Sequence, residues 1–364
     1  PDAMVVSGDI YHYSSPAATT QKMYTDAMLN IHQACPGMAI VVTAGNHDSS
    51  SKLEIDSSLW QHFGLNVVGN IERTAEEVNL DKHIIEINNE KKTKGYVIAV
   101  PHVYPQNFPL LDTETPRDQR QARFFQALLD EVKKRNTAQL PVVLMAHLSI
   151  EGSDRSGHDE SIGGIEYVPL SAMGEGYDYL ALGHIHCPQD IKGSHHHARY
   201  CGTPLSVSFD ETYPHSVSII ELEKGAEPQI STREIENPIP LVTLPHDPTP
   251  FEDALKLLEE YPEEKPAYLR LNVLTKGYLP PDCNEKASNA AKGKACKYCY
   301  IKTTRERQAD TDESKPISIQ EMQEMSPLEI ARLYYRETEG KEMDPELCQL
   351  METVMQKVKS KNNS

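Results

Sequence analysis

The stretch Gly45-Asn46-His47-Asp48 follows an apolar run, residues 38–42, that has the pattern of a buried strand, so its polar residues lie where that strand would end. A glycine lets the chain turn sharply at that point. The amide oxygen of Asn46 can bind a metal, His47 can exchange a proton near neutral pH, and Asp48 can orient that histidine. The tetrapeptide is a weak signal alone, so its weight depends on how other strands end.

Three further apolar runs end in the same kind of residue. Residues 3–7 lead into Gly8-Asp9, residues 141–146 into His147, and residues 177–182 into Gly183-His184-Ile185-His186. A helical pattern from about residue 15 to 34 separates the first two strands, and such strand–helix–strand units favour parallel pairing. Polar strand ends therefore meet at one edge of a sheet. The predicted site residues are Asp9, Asn46, His47, His147, His184 and His186.

This set combines imidazole, carboxylate and amide groups without a thiolate, which suits Mn²⁺, Fe²⁺ or Zn²⁺. A carboxylate can bridge two ions, and two ions about 3.5–4 Å apart can hold a phosphoryl group for in-line displacement. Such ions also lower the pKa of a bridging water. A nearby histidine that binds no metal can protonate the leaving oxygen. The residues therefore indicate a metal-dependent phosphoesterase.

The four strand-end motifs resemble those of the calcineurin-like metallophosphoesterases. Residues 163–169 and 200–209 narrow the resemblance to the SbcD family of bacterial nucleases, related to the Mre nucleases, over nearly all of the chain. The resemblance implies an α/β fold. Its parts would be a metallophosphoesterase β-sandwich flanked by helices, a small α/β capping domain and a C-terminal helical tail.

The resemblance also implies roles for the metal-ligating residues. Asp9 would bridge two divalent cations, and Asn46, His147 and His184 would complete one site. His186 would belong to the other site. Mn²⁺ is the implied metal, with Mg²⁺, Fe²⁺ and Zn²⁺ as alternatives.

Two more histidines receive roles by resemblance. His47 would be the catalytic proton donor to the leaving group, and His12 would approach the scissile phosphate. The family opens with a strand that ends in Asp-x-His and supplies two more ligands to the His186 site. No such motif precedes Asp9. We therefore expect that one strand and one helix are missing from this sequence, and that the chain as written holds one metal poorly.

Composition divides the chain into four parts. Residues 1–237 would form the nuclease domain and, by the resemblance, 238–307 the capping domain, which opens with a proline-rich linker at 238–250. Residues 308–325 would be a tether and 326–359 amphipathic helices. By resemblance, these helices would bind an SbcC-type SMC-like ATPase, and the alternative is that they dock on their own domain. The loop 151–164, with His158, Asp159 and Glu160, would contact substrate or be an insertion.

The formal net charge of −18 is unusual for a free-standing nucleic-acid binder. Attraction for DNA would need bound cations, a local basic patch or a partner. The end of the capping domain is locally basic, and either a solvated face or a phosphate contact would explain it. The residues concerned are Lys292, Lys294, Lys297, Lys302, Arg305 and Arg307.

The seven cysteines are odd in number and scattered, which is typical of a reducing, cytoplasmic protein. No apolar run approaches the roughly 20 residues that cross a bilayer. The function predicted is an Mn²⁺-dependent DNA exonuclease and endonuclease that opens hairpins, works with an SbcC-type ATPase and forms a homodimer within a heterotetramer. The alternatives are a phosphoesterase for small nucleotides or phosphoproteins, and a non-catalytic scaffold.

Overall fold

The computed structural model describes residues 1–73, 78–89, 92–156, 167–305, 327–339, 343–344 and 347–351. Two compact units divide the chain at Thr304 and Arg305. The strands are β1 (Ala3–Ser7), β2 (Ala39–Thr43), β3 (Leu65–Val68), β4 (Ile84–Asn89), β5 (Lys92–Ala99), β6 (Val142–His147), β7 (Ser149–Ile150), β8 (Tyr167–Val168), β9 (Tyr179–Gly183), β10 (Gln189–Asp190), β11 (Ala198–Tyr200), β12 (Ser216–Glu221), β13 (Gln229–Glu234), β14 (Leu241–Thr249), β15 (Tyr268–Thr275) and β16 (Lys297–Arg305). The α-helices are α1 (Ala18–Ala34), α2 (Ser50–Leu53), α3 (Ser57–Trp60), α4 (Arg120–Arg135), α5 (Phe251–Glu259), α6 (Cys283–Ala291) and α7 (Pro327–Glu339).

Two sheets pack face to face in the first unit. One is parallel, in the order β1-β2-β3, and the other has the order β10-β11-β9-β6-β5-β4. Alternate residues of β2 face opposite sides: Val41 packs in the core that it shares with β5 and β6, whereas Ile40 and Val42 pack on the other side with residues of α1. Such alternation is the period of a strand buried on both faces. The predicted α/β fold is confirmed.

Helix α4 covers the outer face of the six-stranded sheet. Its five large apolar residues fall on one stripe and are all buried: Phe124, Phe125, Leu128, Leu129 and Val132. They pack against outward-facing residues of β5, β6 and β9, such as Ile98, Leu144 and Leu180. A 3₁₀ turn, Arg117–Gln119, precedes α4.

A third sheet, β14-β15-β16, packs with α5 and α6 around its own core. The prediction of a proline-rich linker at 238–250 is wrong, because β14 occupies most of that stretch. β14 is an edge strand, and its register shifts between Leu244 and Thr249, around Pro245 and Pro248. Proline lacks the N–H that a central strand needs, so an edge is where it is tolerated. The boundary at 237/238 stays a prediction.

In the second unit, α7 begins at Pro327, within the stretch 326–359 where amphipathic helices were predicted, and proline is well tolerated at the first helical position. Residues 347–351 are also helical, and Arg332 Nε donates to Cys348 Sγ at 3.4 Å. The predicted tether at 308–325, the tail beyond residue 351 and His158, Asp159 and Glu160 lie outside the described residues. None of the helices in the described part of the chain is long and apolar enough to span a bilayer.

Candidate metal centre

Three glycines let the strand-end loops approach each other at the distance of backbone contact. A Cβ added to Gly183 would lie 1.7 Å from the Ser7 carbonyl oxygen. A Cβ on Gly45 would lie 2.1 Å from Asp9 Oδ1, and one on Gly8 would lie 2.2 Å from a ring nitrogen of His147. No side chain fits at these positions, so the glycines in the motifs are what permits the loops to converge.

Four of the predicted residues meet where these loops converge. His147 Nε2 lies 3.2 Å from Asp9 Oδ2 and 3.0 Å from Asn46 Oδ1. His184 Nδ1 lies 3.1 Å from the same oxygen of Asn46. Asp9, His147 and His184 each offer a ligand atom, and these atoms all lie within 4.8 Å of one another. The structure thus brings Asp9, Asn46, His147 and His184 together at the ends of β1, β2, β6 and β9.

The ring of His147 is fixed by the chain around it. Its Nδ1 donates to the Ser7 carbonyl oxygen at 2.6 Å, which leaves Nε2 directed at Asp9 and Asn46. The side chain is 1% exposed, and this burial alone would lower the pKa of His147. The Asp9 carboxylate outweighs burial and raises that pKa, while His147 and the His47 amide hold the pKa of Asp9 well below its usual range.

The backbone is strained at two of these residues. Asp9 has a φ of +51° and His184 has a φ of +102°, and both follow a glycine at a strand end. Residues other than glycine rarely adopt this left-handed region, at a cost of about 1–3 kcal/mol each. Strain of this kind clusters at functional sites, where the surrounding structure holds it.

Asp48 does not orient His47, contrary to the sequence-based expectation. Its buried carboxylate accepts the backbone N–H of Gly45 at 2.8 Å, of Ile10 at 3.1 Å and of Tyr11 at 2.9 Å. Asp48 therefore joins the loop that carries Asp9 to the loop that carries Asn46.

His47 is oriented by His12 and Asp9. Its Nδ1 donates to the His12 carbonyl oxygen at 2.9 Å, and its backbone N–H donates to Asp9 Oδ1 at 3.0 Å. The two imidazole rings stack with centroids 5.6 Å apart. The Nδ1 hydrogen bond leaves Nε2 of His47 as the atom that can hold or release a proton.

His186 has a carboxylate partner, Glu211. Its Nδ1 donates to Glu211 Oε1 at 2.7 Å, and the Glu211 side chain is fully buried. His186 is not one of the three residues whose ligand atoms lie within 4.8 Å in the described part of the chain. Its role as a ligand stays a prediction.

The calcineurin-like phosphoesterase family model matches residues 1–188, just over half of the chain. The chain belongs to this family. A second family model, described as the type 5 capsule protein repressor C-terminal domain, matches residues 237–339. Family membership implies divalent cations, and the carboxylate, amide and imidazole donors that meet around Asn46 fit such ions.

Curated relatives extend the likeness. The SbcD subunit of the SbcCD nuclease from Rhodobacter capsulatus is 30% identical over 269 residues, which are 71% of this chain and 65% of that protein. The protein of that name from Escherichia coli K12 is 24% identical over 355 residues, 94% of this chain and 84% of its own length. The Bacillus subtilis one is 28% identical over 237 residues, 62% of this chain and 57% of its own length. The chain thus spans just under two thirds of the first relative, and the resemblance to the SbcD family is confirmed.

Two residues near the site, Glu211 and His102, were not predicted from the sequence. Glu211 lies 25 positions beyond His186, in a stretch with no strand-end pattern. His102 Nδ1 donates to the His147 carbonyl oxygen at 3.2 Å, and its ring packs edge-on to His147. His102 closely follows the end of β5, so the rule that polar residues gather at strand ends would have found it.

Proposed function

We propose that this protein is a divalent-cation-dependent phosphodiesterase that cleaves DNA, as the nuclease subunit of a complex with an SbcC-type ATPase. The observation that carries the proposal is the meeting of Asp9, Asn46, His147 and His184, with His47 hydrogen-bonded beside them. Membership of a phosphoesterase family and the names of the relatives support the same reading.

The residues divide into two groups by what they would do. Asp9, Asn46, His147 and His184 would hold one divalent cation, and Asp9 with His186 would hold a second. When bound, such cations act as Lewis acids towards a phosphoryl group and lower the pKa of water. We propose Mn²⁺, with Mg²⁺, Fe²⁺ and Zn²⁺ as the alternatives.

His47 would supply the proton for the leaving sugar oxygen. Its Nδ1 is held by the His12 carbonyl oxygen, so a proton on Nε2 can pass to a substrate. The stacked His12 ring is exposed and would meet the phosphate beside it. In this assignment the His47 ring binds no metal, and the backbone N–H of His47 donates to Asp9 Oδ1.

The charge of the protein bears on how it would hold DNA. The net charge is −18, and two lysines of the basic run are engaged within the protein. Lys294 Nζ donates to the Leu258 and Tyr261 carbonyl oxygens near the end of α5, and Lys302 pairs with Asp210. Attraction for a phosphate backbone would therefore come from bound cations and from a partner.

The partner proposed is an SbcC-type SMC-like ATPase that binds the C-terminal helices. In α7 and the helical residues 347–351, the apolar side chains of Ile330, Tyr334, Leu347 and Leu350 are exposed. An amphipathic helix with such a face is suited to a helix-in-groove contact. The domain boundaries at 237, 307 and 325, a homodimer within a heterotetramer and a cytoplasmic location belong to the same proposal.

The test is cleavage of DNA hairpins and linear ends by the purified protein with Mn²⁺, against the same protein with EDTA. Cleavage that needs Mn²⁺ supports the proposal. Hydrolysis of small phosphate esters only would favour the alternative phosphoesterase, and no hydrolysis by protein that binds Mn²⁺ would favour a scaffold.

The variant His47→Ala tests the proton donor. Cleavage should fall about 10²- to 10⁴-fold, the range for general acid catalysis, while Mn²⁺ binding stays unchanged. His62→Ala is the matched control, because His62 Nδ1 also donates to a backbone carbonyl oxygen at 2.9 Å. Loss of Mn²⁺ from His47→Ala would instead make His47 a ligand.

A further inference from the structure

Residues 209–211 connect the candidate metal centre to the three-stranded sheet β14-β15-β16. Phe209 and Asp210 contact that sheet, and the next residue, Glu211, contacts His186. We refer to these three residues as the 209–211 segment.

The Glu211 carboxylate faces one ring nitrogen of His186 and one backbone N–H. Its Oε1 accepts from His186 Nδ1 at 2.7 Å, and its Oε2 accepts the Val207 N–H at 2.9 Å. A carboxylate oxygen that faces Nδ1 at this distance takes the acceptor role, which places the ring hydrogen of His186 on Nδ1. Nε2 then remains as the ligand atom. A carboxylate behind a metal-binding histidine has this effect in general.

The backbone beside His186 belongs to the same network. The Thr203 N–H donates to the His186 carbonyl oxygen at 3.1 Å, and His215 Nδ1 donates to the Thr203 carbonyl oxygen at 3.0 Å. His215 Nε2 lies 3.6 Å from Glu211 Oε2. His186 is thus held at both its ring and its carbonyl group by residues 203–215.

The other end of the 209–211 segment is held by charge and stacking. Asp210 Oδ1 accepts from Arg270 Nη1 and from Lys302 Nζ, each at 2.9 Å. Arg270 Nη2 donates to the Phe209 carbonyl oxygen at 3.3 Å, and its guanidinium lies 5.1 Å from the Phe209 ring centroid. The Phe209 ring packs edge-on to Tyr300 at 5.6 Å.

All three strands of the sheet take part in this attachment. Arg270 belongs to β15, Tyr300 and Lys302 belong to β16, and Thr243 of β14 accepts from Arg270 Nε at 3.2 Å. The Arg270 side chain is only 6% exposed, whereas that of Asp210 is 51% exposed. A buried guanidinium without hydrogen-bond acceptors would destabilise the protein, so Arg270 stabilises the contact between the sheet and the 209–211 segment.

We propose that Glu211 is a positioning residue for His186, and that the three-stranded sheet keeps Glu211 in place through Asp210. The inference rests on the proposed function in taking His186 as a metal ligand. It follows that the contacts between the sheet and the 209–211 segment determine how tightly His186 can bind a divalent cation.

The first test replaces Glu211 with glutamine. The matched control is Glu221→Gln, at an exposed position of β12. A glutamine has one acceptor and one donor at its tip, so it cannot accept from both His186 and Val207. The tautomer of His186 is read by ¹⁵N-histidine NMR on the metal-free protein, with its signals assigned from His186→Gln. We expect Nδ1–H in the unaltered protein, loss of that uniform state in Glu211→Gln, and about 10- to 100-fold weaker Mn²⁺ binding.

The second test breaks the attachment to the sheet at an exposed residue. Asp210→Asn should weaken Mn²⁺ binding about 2- to 30-fold and disturb the same His186 signals, whereas Asp247→Asn, 93% exposed on β14, should do neither. If Glu211→Gln does not fold, the same NMR and Mn²⁺-binding measurements on Asp210→Asn and Lys302→Met test the proposal, because each variant removes one partner of the Asp210–Lys302 ion pair.

An Nε2–H tautomer in the unaltered protein would overturn the proposal. So would an Asp210→Asn protein with the tautomer and Mn²⁺ affinity of Asp247→Asn. The NMR readout needs neither metal nor DNA. A failure of the proposed function would show separately, as Mn²⁺-loaded unaltered protein that does not cleave DNA.

Discussion

Replacing Asp48 with asparagine tests whether the two ligand-bearing loops are joined through this carboxylate. Asp48 is 8% exposed and accepts three backbone N–H groups, two from the loop of Asp9 and one from the loop of Asn46. Asparagine has nearly the same shape but only one oxygen. With that oxygen at the Oδ2 position, the amide NH₂ faces the N–H of Tyr11, and that hydrogen bond is lost.

The cost follows from the number of donors left without an acceptor. One half-buried N–H costs about 1–3 kcal/mol, so Asp48→Asn should destabilise the protein by about 2 kcal/mol. For a domain of this size, that lowers the melting temperature by roughly 4–8 °C. Asp48→Ala removes both acceptor oxygens and therefore all three hydrogen bonds, and it should cost about 3–6 kcal/mol, since water can reach part of the loop.

The assay is thermal unfolding by circular dichroism, with Mn²⁺ binding measured by calorimetry on the same samples. Mn²⁺ affinity should fall together with the melting temperature, because loosened loops separate Asp9 from Asn46. Asp56→Asn, at an exposed position before α3, controls for the loss of one negative charge. Equal melting temperatures and equal Mn²⁺ affinities for the two variants would refute the role of Asp48 in joining the loops. Lost cleavage at unchanged stability would return Asp48 to the predicted role of orienting His47.

Two further predictions concern a buried histidine and a strand-end glycine. Burial lowers the pKa of His83 to about 4, so the unfolded chain takes up a proton below pH 6.5 while the folded protein does not. The stability that His83 contributes is complete above pH 6.5 and falls by about 3 kcal/mol as the pH drops to 4; urea unfolding should show this dependence flattened in His83→Gln. Gly183→Ala should destabilise the protein by about 3 kcal/mol in thermal unfolding and reduce Mn²⁺ binding, because its Cβ would meet the Ser7 carbonyl oxygen. Gly277→Ala, with open space around it, should change neither, and a Gly183→Ala protein that matches it would count against the close approach of the strand ends.

The sequence predicted most of the fold, because the four strands that lead into site residues, β1, β2, β6 and β9, lie in apolar runs followed by polar residues. Parallel pairing then required those ends to meet, which is why the convergence of Asp9, Asn46, His147 and His184 could be foreseen. It could not predict β14, because prolines that exclude a central strand are compatible with an edge strand. It also misjudged Asp48, because the residue next to His47 along the chain contacts the loop of Asp9 instead.

Glu211 shows why the residues that orient a ligand can be identified only from the folded structure. Ligands at strand ends follow from topology, since every parallel strand delivers its end to the same edge. The partner that orients a ligand obeys no such rule and can come from any segment that passes nearby. Glu211 contacts His186, while its neighbours Phe209 and Asp210 contact β15 and β16. The proposed positioning of His186 therefore depends on two strands that begin far later in the chain, and that dependence has no counterpart in any local motif.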